Sequence, residues 1–276
     1  MMAMKDTKAF KEFQKIVWNY YKKHKREMPW RDTVDPYNIV VSEIMLQQTQ
    51  VKRVLEKYPL FIKAFPDFKS LAKAPLSHIL RAWQGMGYNR RAIVLKKIAE
   101  KVTNEYQGIL PDIPEVLITF PGIGKATAGS IVAFVFNKPS VFIETNIRRV
   151  FIHHFFKGKK KIEDGDILKY VKYTVDKKRP REWYWALMDY GTHLGETMRA
   201  KNPNIKSKSY KKQSKFEGSD RKIRGAILKI LIKEGKKSKE KIIEQMKEKP
   251  ARIEKILTGL VKEGFLRYTK NYYLLK

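Results

Sequence analysis

The chain has 276 residues, 43% of them hydrophobic, with 59 Lys and Arg against 28 Asp and Glu, and no cysteine. Its hydrophobic content suffices for one good-sized core or two smaller ones, and a net charge of +31 points to a polyanionic partner. The missing thiols exclude disulfides, zinc–thiolate sites and iron–sulfur clusters.

From Phe10 to Tyr21, apolar residues recur at three- and four-residue spacing (Phe10, Phe13, Ile16, Val17, Tyr20), which predicts a helix. After a break at Met28-Pro29-Trp30, short helices bounded by Pro or Gly are predicted near 37–49, 51–63, 68–73, 76–83 and 89–106. Two more flank a Gly-rich turn between Pro111 and Phe136. Another starts at Asn146, and others lie near 164–176 and 181–191. Strand-like alternation is missing, so this part reads as an all-α domain covering 1–200. Composition then shifts: residues 201–276 carry 23 Lys and Arg against 8 Asp and Glu. Residues 201–219 are polar, basic and weakly periodic, and read as a linker or an ordered arm. Beyond them, helices are predicted at 220–233, 238–247 and 250–263, the last opening on Pro250, a good first-turn residue. Phe265–Tyr268 and Tyr272–Leu275 flank Thr269-Lys270-Asn271 as a hairpin. Three helices and a hairpin over 220–276 resemble a winged helix-turn-helix domain, a class that binds DNA through its third helix or docks proteins. No apolar run approaches the ~18 residues of a membrane span, and the first residues lack the apolar centre of a secretion signal. No membrane contact and a cytoplasmic, DNA-associated location are therefore expected.

Three strings carry candidate chemistry. In Phe120-Pro121-Gly122-Ile123-Gly124-Lys125-Ala126-Thr127, glycines allow positive φ and close backbone approach. The following helix then offers free N–H groups and its positive dipole end to a phosphate; an ordinary αα-hairpin is the plainer reading. In Ser42-Glu43-Ile44-Met45-Leu46-Gln47-Gln48-Thr49-Gln50, a carboxylate stands on an apolar helix. Buried there it would have a raised pKa and serve as a general acid; facing solvent it would do neither. In Phe142-Ile143-Glu144-Thr145-Asn146-Ile147-Arg148-Arg149-Val150, Glu144 stands just before a helix start. It is either a favourable charge at that terminus or the second carboxylate that a glycosidic cleavage needs to stabilise its oxocarbenium-like state.

With Pro29-Trp30-Arg31 and Pro36-Tyr37 upstream, these strings resemble the adenine glycosylases of the helix-hairpin-helix superfamily, over about residues 10–200. The resemblance implies a mainly α, two-lobed helix-hairpin-helix glycosylase fold that takes a flipped base, here followed by the winged-helix-like segment. It implies that Glu43 protonates the purine and helps water attack, and that Glu144, where the family has aspartate, stabilises the cationic sugar. Arg26, Trp30, Arg31, Leu46 and Asp189 match positions lining the base pocket. Gln48 and Tyr88 match residues that wedge into the opened stack, and Gln47, Gly122, Gly124, Lys125 and Thr127 fall to DNA binding. Superfamily members that also nick the strand carry lysine at position 126, where this chain has Ala126. One step along a helix turns Lys125 about 100° away, so base removal without efficient β-elimination is expected. The family's four-cysteine cluster loop has no counterpart here, since Lys201–Lys215 takes its place; no cofactor and no metal are expected. The family's usual mixed α/β terminal domain has no counterpart either. The expected partner is double-stranded DNA with a mismatched or damaged pair, bound by a monomer. The favoured substrate is adenine opposite 8-oxoguanine or guanine. A thymine or uracil mismatch glycosylase on the same scaffold, and a non-catalytic DNA-binding protein derived from it, stay open.

Overall fold

Helices form nearly all the regular structure in the computed structural model, which describes residues 4–211, 216–246 and 248–276. In chain order they are α1 (Met4–His24), α2 (Pro36–Leu46), α3 (Val51–Ala64), α4 (Phe68–Lys73), α5 (Leu76–Ala82), α6 (Arg90–Glu105), α7 (Pro114–Leu117), α8 (Lys125–Phe136), α9 (Thr145–Phe155), α10 (Asp164–Thr174), α11 (Pro180–Thr197), α12 (Asp220–Glu234), α13 (Lys239–Met246) and α14 (Pro250–Lys262). The strands are β1 (Lys237–Ser238), β2 (Leu266–Thr269) and β3 (Tyr272–Leu275). Local chemistry sets many of the boundaries. Pro opens α7, α11 and α14, where its missing N–H costs nothing. Asp67 and Ser70 close a capping box on α4. Asn137, left-handed at φ 50°, stops α8.

Contacts divide the described residues into two units. The first comprises 4–39, 111–119 and 123–211; the second comprises 40–110, 120–122, 216–246 and 248–276. In the first, α1 lays Phe10 and Phe13 against rings from α9, α10 and α11: Phe155, Tyr170, Phe151 and Trp183 at 5.0–6.0 Å. Helix α8 is buried from Ala128 to Val135. In the second, Phe61 meets Trp83 edge-on at 5.7 Å over Leu71, Ile79, Leu95 and Ile98, all fully buried.

The C-terminal module belongs to the second unit. Ile223, Ile227, Leu231, Ile242, Ile253, Leu257, Leu260 and Phe265 form its core. Its sheet runs β1-β3-β2, all antiparallel, with Lys237 opposite Tyr273 and Tyr268 opposite Tyr273 on the other side. The order helix, strand, helix, helix, strand, strand is that of a winged helix. The hairpin turn is Lys270-Asn271, both left-handed, as a two-residue primed turn requires; Thr269 ends β2. Strand β1 is two residues long and leaves no periodicity to read.

The stretch after α11 departs from a plain linker as far as it is described. Short 3₁₀ turns occupy Arg199–Lys201 and Pro203–Lys206, and Ile162 bridges Ser207 in parallel. Asn204, 2% exposed, donates to the Thr145 carbonyl at 3.0 Å. Residues 212–215, also read as linker, lie outside the described residues. Among the described residues no helix is long and apolar enough to cross a membrane.

Candidate active site and nucleic-acid interface

Helix α2 is apolar on most sides. Ile39, Val40, Val41, Ile44 and Met45 are buried, as is Ser42. Glu43 is half-buried and shares the helix's less covered side with Leu46, three residues on. The helix ends at Leu46, three residues before the predicted end, because the chain turns there: Gln48 is left-handed at φ 54°.

That turn is held by Arg91, a residue the sequence reading passed over. Arg91 is 7% exposed. One guanidinium nitrogen donates to the carbonyls of Ile44, Met45 and Gln47 at 3.0, 2.7 and 2.6 Å. The other reaches the Thr49 hydroxyl at 2.8 Å and the carbonyls of Met86 and Gly87 at 3.2 and 3.1 Å. Orphan carbonyls at the end of α2 are thus satisfied by a cation at the negative pole of the helix. Burial pushes the Arg91 pKa down to about 10, against a smaller upward pull from Tyr88. The same side chain fixes the Gly85–Tyr88 loop, where Gly85, Gly87 and Tyr88 all have positive φ. Tyr88 is half-buried, with the Arg91 guanidinium 5.6 Å from its ring.

The hairpin turn follows the sequence expectation. Gly122 has φ +70°, and a Cβ there would collide with Val94, so the position demands glycine twice over. Its carbonyl accepts from the Gln47 amide at 3.3 Å. Gly124 caps α8 without a side chain. Gly124 and Lys125 are exposed, and Ala126 and Thr127 half-buried. The start of α8, the positive end of the helix, thus lies at an exposed glycine and an exposed lysine.

Glu144 lies in the first unit, whereas Glu43 lies in the second. The Glu144 carboxylate folds back as the N-cap of α9: one oxygen accepts from the N–H groups of Asn146 and Ile147, both at 2.8 Å. The other has the Asn146 amide at 3.4 Å. Burial pushes the carboxyl up, opposed by the two N–H groups and by Arg149 and Arg148. The start of α9 is clasped from several sides. Arg149 donates to the Asn146 side chain at 2.8 Å and the Gly191 carbonyl at 2.5 Å, and contacts the Asn202 side chain at 3.4 Å. Gly191 lets α11 pass so closely that a Cβ would stand 2.5 Å from the Asn146 carbonyl oxygen.

Arg26, Arg31 and Asp189 come together. Asp189, 2% exposed, accepts a two-pronged pair from Arg31 at 2.9 and 2.8 Å. It also accepts from the Arg26 side chain at 2.7 Å and the Arg26 backbone at 3.1 Å. Four donors fill the acceptor sites of one carboxylate, so Asp189 holds its neighbours in place and has none left for a ligand. Trp30 is buried beside Arg31 in the chain.

An iron–sulfur cluster does not fit this chain. The stretch after α11 offers asparagine, lysine and serine where thiolates would be needed. Among the described residues no group of three or more His, Cys, Asp and Glu could hold a metal ion.

The model of the HhH-GPD superfamily of base excision DNA repair proteins matches residues 41–251. An adenine DNA glycosylase of Buchnera aphidicola is 42% identical over 144 residues, 52% of this chain and 41% of that protein. An adenine DNA glycosylase of Mycobacterium tuberculosis is 38% identical over 132 residues, 48% and 43% of the two chains. The aligned regions span less than half the length of these relatives. The structure of a thermostable thymine-DNA glycosylase superposes with a TM-score of 0.61 at 26% identity, covering 67% of this chain and 87% of that one. With the hairpin, the half-buried α2 carboxylate and the capped α9 all in matched sequence, the chain belongs to the HhH-GPD superfamily of base excision DNA repair proteins.

Proposed function

We propose that the chain is a monofunctional adenine DNA glycosylase, hydrolysing the N-glycosidic bond of adenine mispaired with 8-oxoguanine or guanine in double-stranded DNA. The observation that carries the reading is Glu43: a half-buried carboxylate on a mostly apolar helix whose end Arg91 locks in place, in a chain 42% identical over 144 residues to an adenine DNA glycosylase. Glu43 protonates the leaving purine, then takes a proton from the attacking water. Glu144, the carboxylate at the start of α9, stabilises the developing sugar cation. In the first unit Trp30 and the Arg26–Asp189–Arg31 clasp serve base recognition, and in the second Leu46 does; Gln48 and Tyr88 fill the gap left by the flipped base. The turn at Gly122 and Gly124, with Gln47, Lys125 and Thr127, holds the DNA backbone. Ala126 has no amine to attack the sugar, so the strand is left unbroken. The enzyme acts as a monomer, without a cofactor, and associates with DNA in the cytoplasm.

A thymine or uracil glycosylase is the second reading, favoured by the likeness to the thymine-DNA glycosylase structure. Labelled duplexes holding one A·8-oxoG, A·G, G·T or G·U pair separate the two. Breaks at A·8-oxoG and A·G only after hot alkali, and lost in Glu43→Gln, are expected. Breaks only at G·T or G·U shift the specificity to the second reading; binding without breaks overturns the enzyme.

A further inference from the structure

Helix α12 of the C-terminal module borders a groove of about 1540 Å³ in the second unit. The other walls are the Gln47–Gln50 turn, the Gly85–Tyr88 loop and the first turns of α6. This volume exceeds the roughly 300–1,000 Å³ of small-molecule sites and suits a polymer.

The lining is cationic on both sides. Arg53, Arg90 and Lys97 stand on one wall, and Arg221, Arg224 and Lys229 on α12. Glu263, the carboxylate in the lining, is taken by both nitrogens of Arg224 at 2.9 and 2.7 Å. Arg53, Arg90, Lys97 and Lys229 are exposed. Among the described residues none of these four is in an ion pair. Aromatic faces accompany the charge. Arg221 donates to the Tyr88 hydroxyl and lies 5.1 Å from its ring, while Phe216, 56% exposed, adds a second ring. A groove lined by exposed cations with aromatic rings among them has the recognition chemistry of a nucleic-acid strand.

The third helix of the module is less free for that purpose. On α14, Arg252 is bound to Asp220, Glu248 and the Gly218 carbonyl, and Glu254 takes Lys239.

We infer that this groove seats a DNA strand by its phosphodiester backbone, and that the winged-helix module joins the DNA-binding face through its first helix, α12, rather than its third. The inference rests on the glycosylase reading for the identity of the polymer. The module then supplies half the positive wall, and the bond from Arg221 ties the Tyr88 loop to it.

The test uses the full chain and a fluorescein-labelled duplex holding one A·G pair, with affinity read by anisotropy across a series of KCl concentrations. Each phosphate contact removed lowers the slope of log K against log[salt] by about 0.9, so Lys229→Gln and Arg53→Gln should each lose about that much. Lys255→Gln, on the exposed side of α14, should keep the wild-type slope. Equal melting temperatures are expected, since all three side chains are exposed. A wild-type slope in Lys229→Gln, or a loss in Lys255→Gln instead, overturns the inference. Excision of adenine with an unchanged slope removes the groove and keeps the enzyme; a lowered slope without excision keeps the groove and removes the enzyme. Wild-type protein whose binding ignores salt overturns the groove.

Discussion

A single buried cation organises much of the chemistry. Arg91 receives no counterion from the groups that hold it; its partners are five carbonyls and a hydroxyl. A planar fork can serve both the end of α2 and the Gly85–Tyr88 loop at once, and a lysine ammonium cannot. Hydrogen bonds to a charged group contribute about 1.5–3 kcal/mol each. Arg91→Lys is therefore expected to lower unfolding stability by about 3 kcal/mol in a urea titration, on the scale of losing one or two such bonds. Single-turnover excision should fall by about 100-fold, since small misplacements of a catalytic group carry that cost. Wild-type stability and rate in this variant would show that the network positions nothing. Glu43 and Glu144 stood out in the sequence because each sits in a distinctive string. Arg91 did not, because an arginine in the first turn of an amphipathic helix normally points to water, and only the fold reveals what it meets.

The crossing of α11 over the start of α9 sets where Glu144 stands. Glycine at 191 lets the two backbones approach, and Arg149 and Asn204 bind the carbonyls that the approach brings within reach. Overpacking a tight contact costs about 1–3 kcal/mol, so Gly191→Ala should lower the urea midpoint accordingly. The same change should reduce excision more than DNA binding, because it displaces the capped carboxylate. Equal losses in both would detach the crossing from the chemistry. Most helices were legible from apolar spacing and from Pro at their starts. For the stretch from Lys201 the sequence left linker and ordered arm both open. Its residues are polar and aperiodic, and its order comes from Thr145, Arg149 and Ile162, some 40 to 60 positions earlier, which no local pattern can show. The end of α2 was misplaced for a related reason: Gln47, Gln48 and Thr49 do not forbid a helix, and Arg91 ends it from another part of the chain.

At the scale of the whole molecule, the all-α core and the winged-helix order were readable, whereas the grouping of the C-terminal module with residues 40–110 was not. That grouping depends on surfaces, such as the Arg221 contact with Tyr88, that composition leaves unspecified. A chain of 276 residues without one cysteine also makes a sharp chemical forecast. Exhaustive treatment with a metal chelator is expected to leave excision and melting temperature unchanged; loss of either would reveal a metal held by other donors. The first unit carries one further consequence, for the order in which the protein is made. Gln14 on α1 donates to the carbonyl of Thr174, 160 positions away, and the rings that cover Phe13 include Trp183. A growing chain emerges N-terminal end first, so α1 leaves the ribosome long before α10 and α11 exist to receive it. During that interval its apolar stripe is open to the nascent chain's other neighbours. Its native partners on α10 and α11 are thus available only once most of the first unit has been made.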